Sequence, residues 1–157
     1  MQAYGPAVLR LTVGAVFVAH GAQKLFGVWG GGGLSGTANY FTQLGLSPAF
    51  PLALFVALVE FVGGLLLILG AFTLFAAAAL AIDMAVAIWK VHLAHGFFLN
   101  WAGDPARGHG SEFAVLMIGA LISLMLTGAG AFSIDGRRAR SAEAEAYGRA
   151  RLRAGQV

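Results

Sequence analysis

Long apolar stretches, interrupted by few and widely spaced polar residues, dominate the chain. Four of them, at about 7–26, 51–70, 72–95 and 112–131, approach the ~20 residues that a helix needs to cross a ~30 Å hydrocarbon layer. The fourth is the cleanest, with no charge between Phe113 and Ile134. Residues 61–82 form one uncharged run that a single span between Glu60 and Asp83 would also explain. Apolar character nevertheless extends from Pro51 to His95, and one helix of that length would measure ~66 Å at 1.5 Å per residue, twice the membrane. A hairpin at Gly70-Ala71-Phe72-Thr73 removes the conflict, with Gly70 as a helix C-cap. The pattern predicts four spans rather than three.

The connections differ in character. Residues 27–50 read as a long glycine-rich loop, closed by the helix-start signal Ser47-Pro48. The second connection is very short. The third, Gly96 to Ser111, carries Trp101, Asp104, Pro105 and Arg107, and the tail, 137–157, is Ala/Glu/Arg-rich and predicts a surface helix. Arg10 precedes the first apolar run as in a secretory signal. The run continues into His20, Gln23 and Lys24 without a small-x-small cleavage site, so the segment is expected to be retained.

Composition agrees with the pattern. The chain of 157 residues is 59% hydrophobic and 11% charged, with a mean hydropathy of +0.79. A soluble domain averages about 45–50% apolar and about 25% charged residues. An all-α integral membrane four-helix bundle follows. The chain contains no cysteine, which excludes disulfides, thiolate metal sites, Fe–S clusters and dithiol redox centres. Its net charge of +3 comes mostly from Arg137, Arg138, Arg140, Arg149, Arg151 and Arg153. Such a cluster beside a span sets topology or touches anionic lipid, and nucleic acid is not an expected partner. With Arg10 these arginines make seven cations on one side, against Lys24, Lys90 and Arg107 on the other. Both termini are therefore expected in the cytoplasm and the two long loops outside.

Chemistry has to come from the polar residues inside the spans. By helical rise, Glu60 and Asp83 lie near mid-membrane and His20 somewhat outward. Lys24, Lys90, His92, His95 and Glu112 belong to the outer third, and Arg10 and Asp135 to the inner ends, where they could pair. Arg10, Gly14, Phe17, Gly21 and Lys24 share one face of the first span, with His20 on its flank. Asp83, Ala87 and Lys90 share a face of the third. His92 points almost opposite to Asp83 and joins it only if the helix is distorted. Gly63 and Gly64, beside Glu60, would let a neighbouring helix approach the carboxylate.

Two cations, Lys24 and Lys90, and three anions, Glu60, Asp83 and Glu112, share this region. Unpaired charge in hydrocarbon costs at least ~2.5–3.5 kcal/mol. Glu60 or Asp83 is thus expected to keep a proton at neutral pH, because desolvation acts most strongly at the midplane. His20, Gln23 and Lys24 read as one wall of a polar pocket open to the outside, with the glycine loop folding back over it or staying mobile. Blander readings exist: Lys24 and Lys90 as snorkelling anchors, and Trp29, Trp89 and Trp101 as interfacial aromatics. Haem between His20 and His92 or His95 fits poorly, since their depths differ by ~7 Å or more. GGGLSG, residues 31–36, matches G-x-G-x-x-G without the strand that a dinucleotide site requires. No metal-binding motif appears.

The motifs Leu9-Arg10-Leu11, His20-Gly21-Ala22-Gln23-Lys24-Leu25-Phe26-Gly27, Leu44-Gly45-Leu46-Ser47-Pro48 and Val59-Glu60-Phe61-Val62-Gly63-Gly64 resemble the DoxX family of bacterial four-helix membrane proteins. Asp83-Met84, Val91-His92, Gly96-Phe97-Phe98, Gly110-Ser111-Glu112-Phe113 and Ser133-Ile134-Asp135 continue the pattern, so the resemblance covers about residues 8–136 and leaves out the arginine-rich tail. It implies a bacterial cytoplasmic-membrane protein related to the membrane subunit of a thiosulfate:quinone oxidoreductase. Arg10, His20, Lys24, Glu60, His92 and Glu112 are its motif positions here. The expected role is a quinone-linked redox subunit. His20, Gln23, Lys24, Lys90, His92 and Glu112 would hold the ring, Trp89 or Phe97 would flank it, and Glu60 or Asp83 would relay its proton. A protein partner would bring the electrons. A non-catalytic scaffold for redox proteins and passage of a small solute or protons are the competing expectations, and a homo-oligomer is left open.

Overall fold

The structure is a computed structural model and describes residues 4–154. Six α-helices are present: α1 (Tyr4–Phe26), α2 (Gly33–Gln43), α3 (Ala49–Leu69), α4 (Thr73–Ala87), α5 (Glu112–Thr127) and α6 (Ile134–Ala154). A π turn, Ile88–His92, and a 3-10 turn, Leu93–His95, prolong α4. No strand occurs among the described residues. The apolar helices α1, α3, α4 and α5 form a closed ring, in which α1 packs on α3 and α5, and α4 packs on the same two. Val13, Phe17, Leu67, Leu80, Met117, Leu121 and Leu124 fill its centre.

The outside of the ring is as apolar as the inside. Val8, Phe55, Phe75, Ile82 and Leu116 are all exposed, a surface that suits lipid and not water. Tyr4–Phe26, Ala49–Leu69 and Thr73–His95 are each long and apolar enough to cross a membrane. α5 is equally apolar but has 16 residues, a rise of about 24 Å. The sequence pattern extended it to residue 131. Gly128 and Gly130, with φ of 77° and 70°, end it early and turn the chain inward.

α1 and α3 approach at glycines. A Cβ on Gly14 would lie 2.7 Å from the Gly64 carbonyl oxygen, and one on Gly21 2.5 Å from the Phe61 nitrogen. Gly64 therefore serves the close approach inferred from the sequence, whereas Gly63 faces Leu80 of α4. α3 ends in a Schellman motif: the Gly70 N–H donates to Leu67 O and the Ala71 N–H to Leu66 O, both at 3.0 Å.

At this end the expected Arg10–Asp135 pair does not form, because helix termini claim both side chains. Arg10 is 2% exposed. Its Nε donates to Ala129 O at 2.9 Å, Nη1 to Leu67 O at 3.1 Å and to Ile68 O, and Nη2 to Ala131 O and Phe132 O at 3.0 Å. The cation thus sits at the negative end of α3 and adds donors to the carbonyls of its last turn and of the turn after α5. Asp135 caps α4 instead. Its carboxylate accepts the Phe72 N–H at 3.0 Å, and the Thr73 N–H and hydroxyl at 2.8 Å each. Phe72, with φ 48°, has no side-chain oxygen to do this itself. Partial burial pushes the Asp135 carboxyl up, but these hydrogen bonds and nearby Arg138 outweigh it and hold the group below the usual carboxylate range.

The 27–50 connection is more than a loop, since α2 occupies its centre. The tail is helical as far as Ala154, the helix beginning at Ile134 rather than Arg137; residues 155–157 of the expected tail lie outside the described residues.

Two outcomes are expected at this end. Arg10→Met strands buried carbonyls at ~1–3 kcal/mol each, so it should cost at least about 3 kcal/mol in detergent unfolding experiments. Arg10→Lys should recover only part, because an ammonium cannot reach five acceptors at once. Asp135 contributes stability that is present above its ordinary pKa of ~3.9 and disappears as pH falls through its lowered value. A thermal midpoint measured against pH should lose this acid-sensitive component in Asp135→Asn.

Candidate functional site

The other end of the ring opens into a cavity of about 750 Å³. Val16, Phe17, His20 and Lys24 of α1, Val56 and Glu60 of α3, Asp83 and Met84 of α4, and Phe113 and Met117 of α5 form its walls. α2 roofs it with Thr37, Tyr40 and Phe41. Gly27 and Gly33, with φ of 70° and 63°, supply the turns that bring α2 back over the bundle. Gly31 lies too close to the Gln23 backbone for any larger residue, at 2.5 Å from a would-be Cβ to Gln23 O.

The polar end of the cavity is built around one ion pair. Lys24, in the last turn of α1, donates to both carboxylate oxygens of Glu60, at 2.5 Å for Oε1. Glu60 is almost fully enclosed, while 27% of the Lys24 side chain is exposed. The small residues along the α1–α3 contact bring the two helices close enough for the lysine to reach the carboxylate. Asp83 lines the same cavity but has no cation of its own, and its buried Oδ2 has no hydrogen-bond partner. A buried polar atom without a partner is unusual enough to require a reason.

His92 joins this wall through the distortion that the sequence pattern demanded. The wider i→i+5 turn at Ile88–His92 takes less rotation per residue, so His92 lags its ideal helical position and comes round to the cavity. Its Nδ1 lies 2.9 Å from the His109 carbonyl oxygen. An oxygen that can only accept places the proton on Nδ1, which leaves the Nε2 lone pair free in the neutral ring. Lys90 also lines the cavity, with its ammonium 3.7 Å from the Trp89 ring centroid. The His20 ring lies 6.5 Å from that of Phe113.

Of the residues expected to converge, His20, Lys24, Glu60, Asp83, Lys90 and His92 do so. Gln23 does not line the cavity, since its Nε2 turns to Trp29 O at 3.2 Å and braces the glycine turn. Glu112 is also outside the lining, at the first turn of α5, where its N–H donates to Phe97 O. Trp89 and Phe97, expected beside a ring, are absent from the wall, and Phe113, Tyr40 and Phe41 stand there instead. The α2 residues had a readable signal, because Thr37, Tyr40, Phe41 and Leu44 follow i, i+3, i+4, i+7 spacing. The surrounding glycines obscured it. Among the described residues, no three His, Asp or Glu side chains are placed to hold a metal ion.

The ion pair makes a measurable demand on stability. Lys24→Met leaves Glu60 buried without its cation and should cost roughly 3 kcal/mol, the lower end for a broken buried pair because Lys24 is partly exposed. The double variant Lys24→Met/Glu60→Gln should regain much of that loss in the same unfolding assay.

Known proteins supply a family for this arrangement. Residues 5–93 match the sequence profile of the DoxX family. A membrane protein of Mycobacterium tuberculosis, itself uncharacterised, is 34% identical over 92% of this chain and 89% of its own length. An uncharacterised protein of Haemophilus influenzae is 31% identical, over 87% of this chain and 95% of its own. A Bacillus subtilis protein named "Putative oxidoreductase CatD" is 30% identical, over 83% and 84% respectively. No solved structure matches the chain. With the profile spanning most of the ring and relatives aligned over nearly the whole length, the chain is a membrane protein that belongs to the DoxX family.

Proposed function

We propose that the chain is a multi-pass subunit of a bacterial cytoplasmic membrane, with both termini inside, and that its cavity receives the ring of a quinone. The observation that carries this reading is a mostly apolar cavity of about 750 Å³ on whose wall the Lys24–Glu60 pair meets Asp83, a carboxylate whose buried Oδ2 has no hydrogen-bond partner. The volume falls within the ~300–1,000 Å³ typical of small-molecule sites. Apolar walls with a few converging polar groups suit a flat ring bearing two carbonyls, so the residues present fit the ligand. The redox-related name of the Bacillus subtilis relative supports the same direction.

A bound quinone would supply a redox couple that takes up two electrons and two protons. The residues of this chain do the rest. Lys24 has three N–H donors and gives two oxygens of Glu60 their partners, which leaves one donor for a ligand carbonyl. Lys90 and His20 are further donors on the wall. Asp83 carries the proton that is passed on, and Glu60 keeps Lys24 oriented. Phe113, Tyr40 and Phe41 exclude water and give the ring surfaces to lie against. The chain has no cysteine and so no thiolate cluster; a partner protein brings the electrons.

Extraction of the purified chain in native lipid should yield a stoichiometric quinone. Asp83→Asn should slow quinone-dependent turnover by ~100-fold or more, as for loss of a general acid, and Lys24→Ala should weaken retention of the quinone. A protein that carries no quinone, and membranes whose quinone turnover ignores both substitutions, would overturn the assignment.

A further inference from the structure

The inner end of the bundle carries a second, smaller cavity of about 290 Å³, lined by Ala131, Phe132, Arg137 and Arg140. Arg137 and Arg140 stand i, i+3 on one face of α6, where two like charges repel unless something answers them. No carboxylate pairs with either among the described residues. Asp135, the nearest acid in the chain, is engaged with Phe72 and Thr73. The Arg140 guanidinium folds back toward the start of α6, with Nη1 3.5 Å from a would-be Cβ on Gly136.

The aromatic side of this cavity is held in place under strain. Phe132 has φ 55°, a conformation that bulky residues almost never adopt. Arg10 bonds to the carbonyls on either side of the Ala131–Phe132 peptide nitrogen, fixing that backbone. The result is a Phe132 ring that is 80% exposed, with Tyr4 6.0 Å away. Phe72 repeats the pattern at the same end, with φ 48° and its ring 5.6 Å from the Arg138 guanidinium carbon. Exposed aromatic rings beside guanidinium groups at the end of an apolar bundle match the layer where acyl chains meet headgroups.

We propose that Arg137 and Arg140 bind the phosphate of an anionic phospholipid, whose first acyl carbons lie against Phe132 and Tyr4. Guanidinium forks suit a phosphate bidentately, and two of them at i, i+3 can share one phosphate. Phe132 contributes apolar contact that a free ion could not use. Arg138, turned to Phe72, extends the positive edge.

Native mass spectrometry of the full chain, with phosphatidylglycerol or phosphatidylcholine added in equal amounts, tests this. Wild-type protein should retain phosphatidylglycerol at least fivefold over phosphatidylcholine. Arg137→Gln/Arg140→Gln should abolish the preference, Phe132→Ser should weaken retention of both lipids, and the distal control Arg149→Gln/Arg151→Gln should leave the preference intact. All these side chains are exposed, and an unchanged thermal midpoint confirms that folding is unaffected. Equal retention of both lipids by the wild type overturns the proposal. So does a preference that survives the first double variant, or one that is lost only in the distal one. Displacement of the lipid by millimolar inorganic phosphate would also overturn it, by showing a simple anion site.

Discussion

A carboxylate enclosed by apolar helices must be met by a cation, and in this chain Glu60 absorbs Lys24 with both of its oxygens. Much of the cavity half of the bundle follows from that demand. α1 and α3 have to run close enough for a lysine in a terminal turn to reach the middle of the next span, and Gly14, Gly21 and Gly64 make the approach possible. With Lys24 engaged by Glu60, Asp83 on the same cavity wall keeps a buried oxygen that has no hydrogen-bond partner. A bundle needing only stability would have no use for such an atom, since an apolar residue there would be less costly.

The two ends of the ring solve opposite problems. At the Arg10 end the polar groups of the rim are matched: Arg10 to carbonyls of α3 and of the turn after α5, Asp135 to the start of α4, and Ser133 to Gly130 and Gly136, while Arg137 and Arg140 on exposed α6 stand outside this set. At the cavity end matching is incomplete, the helix is irregular at Ile88–His92, and a separate helix covers the opening.

Much of this was legible in the residues. Hydrophobic runs located the apolar helices because lipid imposes length, and Gly70 marked the hairpin because only a residue at ease with positive φ ends a helix that sharply. The convergence of His20, Lys24, Glu60, Asp83 and Lys90 could be read from depth and helical angle. His92 could be placed only conditionally, since one-dimensional spacing shows that a distortion is needed but not that it occurs. Gln23 and Glu112 were misplaced for a related reason: depth put them near the site, but local backbone partners, Trp29 and the turn after Phe97, fixed their positions. Arg10 and Asp135 looked complementary as charges. Helix termini proved to be better partners than each other, a preference that depends on where backbone groups are left bare and that no charge count reveals.

The cap on α4 has a consequence for how the bundle is completed during synthesis. Arg10 leaves the ribosome before any carbonyl that it will bind, whereas Asp135 emerges 62 residues after the Thr73 amide that it will hold. Between those two points the start of α4 lacks its carboxylate cap. Closure of this rim therefore waits for α5 and the turn beyond it, so two side chains far apart in the sequence jointly seal the bundle.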